Sequence, residues 1–372
     1  MAKKPLFYIG LMSGTSLDGV DAVLVNFNQS VPELVASHSH PIPIDLQNEL
    51  FIFTQPNWTG RVADIGVFHQ KLGKLFANAS QSLIKKSGIK SCDIYAIGSH
   101  GQTIWHQPDG EFPFSLQLGD ANSISETTGI TTVADFRSRD IVAGGQGAPL
   151  VPAFHREVLS HLKKNRIILN IGGIANISYL PSKTSNRAVM GFDTGPGNGL
   201  IDAWIHSHKS ARFDKNGDWA RSGEIKSTLL NKLLEAPYFS LVAPKSTGKE
   251  SFNLAWLKSV LKDDLNNNKP EDIQATLTDL TAKTVADQID KTCDELFICG
   301  GGIHNQFLIE RLQFHAPNIP IESTQTLGIA PDWMEAIAFA WLAKQTIEGK
   351  AGNLPSATGA KGPRILGAIY PA

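Results

Sequence analysis

Leu6-Phe-Tyr-Ile-Gly10, Ser13-Gly-Thr-Ser-Leu-Asp-Gly19 and Val20-Asp-Ala-Val-Leu-Val-Asn-Phe27 read as a strand, a glycine-rich turn and a second strand. The pattern returns about 160 residues later in Ile167-Ile-Leu-Asn-Ile-Gly-Gly-Ile-Ala-Asn-Ile-Ser-Tyr-Leu180. Two such units predict a duplicated α/β architecture of two lobes. Working outward, a third strand is expected around Leu34–Ser39. Ile65, Phe68, Leu72, Leu75, Phe76, Ala79 and Leu83 fall at helical spacing between Asp64 and Lys86, and Gly88 closes that helix. Ile94-Tyr-Ala-Ile-Gly98 reads as a short buried strand ending in Ser99-His-Gly-Gln-Thr103. Ala188-Val-Met-Gly-Phe-Asp193 leads into Thr194-Gly-Pro-Gly-Asn-Gly199, a loop, and a helix follows from Leu200. Helical spacing recurs over Asp272–Asp290. Glu295–Cys299 reads as a strand, Gly300-Gly-Gly-Ile-His-Asn305 precedes another helix, and Glu335–Thr346 is strongly helical. Lys209–Glu224 is expected as a surface excursion, and Ala357–Pro371 as a loop with a short strand.

Composition narrows the function classes. The 372 residues suggest about two domains. The 34 basic and 35 acidic side chains nearly cancel, which argues against a nucleic-acid binder or a polybasic membrane anchor. The longest apolar run, Ala336 to Ala343, is far short of a membrane span. The three cysteines, Cys92, Cys293 and Cys299, form no CxxC pair, which suits a reducing compartment. A soluble cytoplasmic protein is expected.

Several catalytic signatures are absent. Ser246-Thr-Gly-Lys-Glu250 lacks the leading glycine of a Walker A loop and ends in the wrong residue. Gly300-Gly-Gly-Ile-His-Asn305 fails the dinucleotide pattern at its last position. No GxSxG elbow, HExxH pair or protein-kinase signature is present. What remains is four glycine-rich loops at strand ends: Ser13–Gly19, Gly172–Asn176, Gly195–Gly199 and Gly300–Gly302. Glycine lets backbone N–H groups approach an anion closely, and Thr15, Ser16 and Thr194 add hydroxyls. Each loop alone reads more readily as a tight turn, since short glycine motifs recur by chance. Four of them in two lobes favour a nucleotide cleft. Asp193 follows a buried strand, where a carboxylate activates a nucleophile beside a phosphate or simply caps the next turn. Asp18 reads as a magnesium ligand or an Asx-turn residue. Ser99–Thr103 and Asp135-Phe-Arg-Ser-Arg-Asp140 are polar clusters suited to a sugar. Against that stand a core role for His100 and surface ion pairing of Arg137 and Arg139 with Asp135 or Asp140. Gly144-Gly-Gln-Gly-Ala-Pro149 reads as a hinge or a close-approach loop, and Glu335 as a helix-start acid.

Ile9-Gly-Leu-Met-Ser-Gly-Thr-Ser-Leu-Asp-Gly-Val-Asp21, Ser99-His-Gly-Gln-Thr-Ile-Trp-His106, Gly144-Gly-Gln-Gly-Ala-Pro-Leu-Val-Pro152, Asn170-Ile-Gly-Gly-Ile-Ala-Asn176 and Gly191-Phe-Asp-Thr-Gly-Pro-Gly-Asn198 closely resemble the anhydro-N-acetylmuramic acid kinase family. The resemblance covers essentially the whole chain. It implies an actin-like, ribonuclease H-like ATPase fold of the acetate and sugar kinase, Hsp70 and actin superfamily, with a nucleotide cleft between two lobes. The expected lobes are 1–140, completed by the tail 347–372, and 141–346. The implied reaction hydrolyses the 1,6-anhydro bridge of 1,6-anhydro-N-acetylmuramic acid and phosphorylates O6 with ATP, in peptidoglycan recycling. Asp193 is then the base for the attacking water. Ser13, Gly14, Thr15, Ser16, Leu17, Asp18 and Gly19 form the first phosphate loop. Gly172, Gly173, Gly195, Gly197 and Asn198 line the second, and Gly300, Gly301 and Gly302 the adenosine side. Gly101, Thr103, Arg137 and Glu335 are assigned to the sugar. ATP and Mg²⁺ are the implied cofactors, and a homodimer is the candidate assembly, with no nucleic-acid or membrane partner. Many superfamily members hold Mg²⁺ with an aspartate in the first strand. Here that stretch reads Gly10-Leu-Met-Ser13, which leaves Asp18 for the part. The alternatives are a conventional sugar or carboxylate kinase and a catalytically silent nucleotide sensor of the same fold.

Overall fold

The computed structural model describes residues 6–14, 17–55, 57–243, 245–248 and 250–372. It divides into two compact units, Met1–Leu159 with Gly328–Ala372, and Ser160–Leu327. Strands β1 (Phe7–Ser13), β2 (Gly19–Asn26), β3 (Glu33–Pro41), β4 (Ile94–Gln107), β5 (Phe114–Leu118) and β6 (Thr132–Ala134) belong to the first unit. The second unit holds β7 (Arg166–Ile171), β8 (Ile174–Leu180), β9 (Met190–Pro196), β10 (Glu295–Cys299) and β11 (Ile321–Ser323), and β12 (Ala368–Tyr370) returns to the first.

The two sheets share one plan. In the first unit the order is β12-β6-β4-β1-β2-β3, with β5 on the far part of β4. β1, β2 and β3 form an antiparallel meander, and β4 then β6 continue parallel on the other side of β1. In the second unit β7, β8 and β9 form the meander, and β10 then β11 continue parallel beside β7, giving β11-β10-β7-β8-β9. The same succession twice is the duplicated α/β core of the ribonuclease H-like fold. The central parallel strands carry near-continuous apolar runs because both their faces are covered.

Glycine sets how closely one cover lies. Gly10 of β1 and Gly98 of β4 stand side by side in register. A Cβ there would stand 1.9 Å from the Ala336 carbonyl oxygen and 2.1 Å from that of Phe339. The helix Met334–Ile347 therefore rests directly on the β1–β4 backbone, with Ile337, Phe339 and Trp341 buried. The helix Val62–Ser87 packs Leu72, Phe76 and Leu83 into the core cluster that also holds Ile9, Leu11 and Ile97 of the sheet. It ends on Gly88, which has φ 70°.

Several elements differ from the sequence reading. The unit boundaries fall at 159/160 and 327/328 rather than at 140/141 and 346/347. The reason is packing: the helices Val151–Leu159 and Met334–Ile347 contact each other, and the latter covers β1 and β4. β4 does not end at Gly98 but continues to Gln107, because β5 supplies a new partner from Gln102 onward. β9 runs through Asp193 to Pro196, so the helix Asn198–Lys209 starts almost at once. The 209–224 segment is anchored: buried Asp214 accepts from the Trp219 and Ala220 N–H groups and from Gln274 Nε2.

Asp140 clamps the first unit's tail. It is fully buried, and Oδ1 accepts from Asn353 Nδ2 at 2.7 Å and Thr358 Oγ1 at 2.9 Å. Oδ2 accepts from the Gly147 N–H at 2.9 Å, and a Cβ on Gly145 would stand 2.2 Å from it. The 144–149 loop is thus a close-approach loop held by Asp140, and Asp140 is no surface ion-pair partner. Asp140→Ala strands three buried donors and should cost about 3 kcal/mol or more, read as a lower denaturant midpoint at unchanged slope.

Candidate active site

The first glycine loop joins β1 to β2. Thr15 and Ser16 lie outside the described residues. Ser13 is buried, and its hydroxyl stands 2.8 Å from Gln102 Oε1 and 3.0 Å from the Gly19 carbonyl oxygen. Gln102 Nε2 also reaches the Gly14 carbonyl. Ser13 therefore fastens the two ends of the loop together. Leu17 adopts φ 62°, a left-handed conformation costly for a side chain of this kind, and its carbonyl accepts from Gln47 Nε2 at 2.9 Å. Asp18 is exposed at the loop's end. Asp21, three residues on, is half-buried; burial raises its pKa, Ser39 donates to it, and Asp332 and Asp18 add negative charge beside it.

In the second unit the β7–β8 turn meets the start of the helix Asn198–Lys209. The N–H groups of Gly197 and Gly199 donate to the Gly173 carbonyl, and that of Asn198 donates to the Gly172 carbonyl. A Cβ on Gly197 would stand 2.4 Å from the Gly172 oxygen, and one on Gly199 would stand 2.7 Å from the Gly173 oxygen. These glycines hold the turn against the helix start; their N–H groups have internal partners. Gly195, with φ 148°, brings its backbone against Phe239.

Asp193 sits on β9 opposite Asn176. The segment after residue 237 braces it on three sides. The Asp193 N–H donates to the Lys245 carbonyl at 2.9 Å, and the Tyr238 hydroxyl donates to the Asp193 carbonyl at 2.8 Å. The Thr247 N–H donates to the carboxylate oxygen Oδ2 at 2.9 Å. The carboxyl is mostly enclosed, and burial pushes its pKa up to about 6, the Thr247 N–H pulling down and Glu250 pushing up. A carboxylate poised there is ionised at neutral pH and basic enough to take a proton.

Gly300, Gly301 and Gly302 differ from one another. Gly300 has φ 78° and crowds Asn170, and a Cβ on Gly302 would stand 2.4 Å from the Ile171 side chain. Gly301 faces open space, with nothing within 4 Å of a Cβ. Gly301→Val should therefore leave unfolding within about 0.5 kcal/mol of the parent yet raise the ATP KM by roughly tenfold. Gly302→Ala should destabilise the fold instead.

The sugar candidates all fall in the first unit. Arg137 donates from Nη1 to the Gly147 carbonyl and from Nη2 to His100 Nε2, both at 2.8 Å. Because a guanidinium only donates, His100 Nε2 accepts and the ring is neutral there. Burial, then the Arg137 charge, holds the His100 pKa down to about 3. Arg137 is itself lowered to about 10 by burial, against the pull of Glu335 and Asp140. Its Nε is buried without a partner among the described residues. Burial raises Glu335, with Arg137 pulling it down and Asp21 pushing it up. Both keep a sliver of accessible surface though protein encloses them. Gly101, at φ 73°, lines a cavity of about 230 Å³ with Ser99, Gln117, Asp120 and Tyr370. Thr103 accepts from Gln117 Nε2 at 3.3 Å and does not line it. The structure thus joins Arg137, His100 and Glu335 and sets Thr103 apart.

Sequence reasoning missed Asp21, Tyr238, Lys245, Thr247 and Glu250, and grouped Gln102 with the sugar cluster although it bonds the first glycine loop. Asp21 was visible in the Gly19-Val-Asp21 motif. The 245–250 segment was read only against the Walker A pattern, and its true partner lies about fifty residues away in sequence. Among the described residues no three His, Cys, Asp or Glu side chains gather as a metal cage would require.

The family model described as anhydro-N-acetylmuramic acid kinase matches residues 6–372. A relative of that name from Saccharophagus degradans is 48% identical over 99% of each chain. One from Xylella fastidiosa is 50% identical over 98% of this chain and 96% of its own, and one from Shewanella baltica is 50% identical over 99% and 100%. With the family model spanning residues 6–372 and relatives about half identical over nearly their whole length, the chain belongs to the anhydro-N-acetylmuramic acid kinase family.

Proposed function

We propose that this protein uses ATP to open the anhydro bridge of 1,6-anhydro-N-acetylmuramic acid and to phosphorylate O6, giving N-acetylmuramic acid 6-phosphate and ADP. Asp193 takes a proton from water. The water oxygen bonds to C1, the C1–O6 bond breaks with its electrons on O6, and O6 attacks the γ-phosphorus as the bond to the β-phosphate oxygen breaks. The proton stays on Asp193 until solvent removes it. Phosphoryl transfer of this kind rests on positioning and charge stabilisation.

The observation that carries the reading is the enclosed Asp193 carboxylate, raised to about 6 and held by one N–H. Phosphates go to the first loop, residues 13–19, and to the Gly172–Gly173 turn. Gly195, Gly197 and Asn198 serve by shape, since the N–H groups of the latter two are spent internally. Gly300–Gly302 takes the adenosine side, with Gly301 leaving room for it. Arg137 and Glu335 orient the sugar, Gly101 follows the Arg137 partner His100 on β4, and Thr103 lies apart against Gln117. Magnesium binds ATP enzymes through phosphate oxygens, water and one or two carboxylates, and it neutralises phosphate charge. Exposed Asp18 at the loop's end fits that part.

The test is the pH dependence of kcat/KM. A base must be ionised, so activity should rise tenfold per pH step below an apparent pKa near 6 and level off above it. Glu250→Gln removes a neighbouring negative charge and should move that limb to lower pH. A limb near pH 4, unmoved by Glu250→Gln, would exclude Asp193 as the base.

A further inference from the structure

Thr247 stands out because its two polar groups are treated differently. Its N–H is tied to Asp193 Oδ2 at 2.9 Å. Its hydroxyl oxygen, three covalent bonds from that nitrogen, is buried and has no hydrogen-bond partner among the described residues. A buried hydroxyl left unpaired costs free energy that folding alone does not recover. The segment around it is otherwise well tied. Tyr238 bonds the Asp193 carbonyl, Lys245 Nζ reaches the Tyr238 carbonyl and lies over the Tyr238 ring, and Phe239 stacks on Phe252. The unpaired hydroxyl is the exception, and it lies on the residue that fixes the base.

We propose that Thr247 positions the attacking water: its N–H orients the Asp193 carboxylate, and its hydroxyl takes the water as the hydrogen-bond partner it lacks in the protein. This rests on Asp193 being the base. A water facing a carboxylate retains rotational freedom, and a second contact from a fixed hydroxyl aims its lone pair at C1. No proton leaves Thr247. It shares a hydrogen bond with the water and recovers it with the next water after product leaves. Among the described residues, the charged and titratable groups around Asp193 are Glu250, Tyr238 and Lys245 from the bracing segment. On the helix Pro270–Ala286 against β9, Asp279 pairs with Arg311 and His315, and Lys283 with Asp287. None of these changes when the Thr247 hydroxyl is removed.

The experiment compares Thr247→Val and Thr247→Ser with the parent at saturating ATP and sugar across pH. Valine keeps the N–H and the shape and loses only the hydroxyl. The expected result is a kcat lower by roughly ten- to a hundredfold, KM for both substrates within about threefold, and an acid limb that stays in place. Serine should recover kcat to within about threefold of the parent. Full kcat in the valine variant overturns the proposal. So does a loss that serine does not restore, or one accompanied by a displaced limb or a large KM change, because these mark a structural role. If valine impairs folding, Thr247→Ala carries the same expectation, and failure of both to fold also assigns Thr247 to structure. Asp193→Asn is measured alongside: an active asparagine variant removes the base reading itself, whereas an inactive one with an unimpaired Thr247→Val removes only this inference.

Discussion

Asp193→Asn should cut turnover severely and at the same time make the protein harder to unfold at neutral pH. The base contributes a factor of about 10² to 10⁴, so kcat should fall by roughly 10³. ATP affinity should hold, because asparagine keeps the shape and its carbonyl oxygen still accepts the Thr247 N–H. The stability gain follows from the sign of the pKa shift. The folded carboxyl lies near 6 and the unfolded one near 3.8, so holding the charge in place is unfavourable once both states are ionised. The native state gains from the raised value fully below the unfolded pKa and loses that gain as pH rises through 6. Asparagine is neutral throughout. An offset of this size corresponds to up to about 3 kcal/mol for a group so enclosed. Thermal melts should show the variant more stable than the parent at pH 7.5, with the difference vanishing near pH 4. An active variant, or one less stable at neutral pH, contradicts the role given to Asp193. Trading stability for a poised base is common at active sites.

Arg137→Ala should damage both fold and substrate binding. The guanidinium holds the Gly147 carbonyl and His100 Nε2 with two separate nitrogens, and it is the cation facing Glu335. Removing it leaves an acceptor on His100 unpaired and lets burial push Glu335 higher still. Breaking an enclosed charge pair costs several kcal/mol. With a little solvent reaching both groups, about 2–3 kcal/mol is expected. The sugar KM should rise by roughly a hundredfold while the ATP KM changes little. Arg137→Lys should not rescue, because one ammonium on a flexible stem cannot reproduce two bonds from a planar fork. A variant with an unchanged sugar KM would remove Arg137 from the sugar site.

The duplicated core was legible because it rests on local patterns. Apolar runs broken by glycine at Gly10–Gly19 and at Ile171–Gly173 mark the first hairpin of each sheet. The helix Val62–Ser87 was legible from its spacing and its glycine cap. Illegible features depend on partners distant in sequence. β4 outlasts its apolar run because β5 pairs with it, and Asp140 is buried by the tail some two hundred residues on. The helix Met334–Ile347 joins the first unit because Gly10 and Gly98 let it lie on the sheet. At the site, Asp193 was visible at the end of the apolar run Ala188–Phe192, although β9 continues through it. Its bracing by Tyr238, Lys245 and Thr247 was not, since nothing in those residues names their partner. The glycines after Asp193 showed the opposite problem: their motif suggested phosphate donors, while the N–H groups of Gly197, Asn198 and Gly199 are taken by the preceding turn.

Isotope incorporation tests the central claim most directly. Protein, Mg·ATP and 1,6-anhydro-N-acetylmuramic acid are incubated in ¹⁸O-water and the product is analysed by mass and fragmentation. Coupled bridge opening and transfer predicts a product heavier by one phosphoryl group and one labelled water, with ¹⁸O on C1 and none in the phosphate. A phosphorylated product without added water, or label in the phosphate rather than on C1, would contradict it.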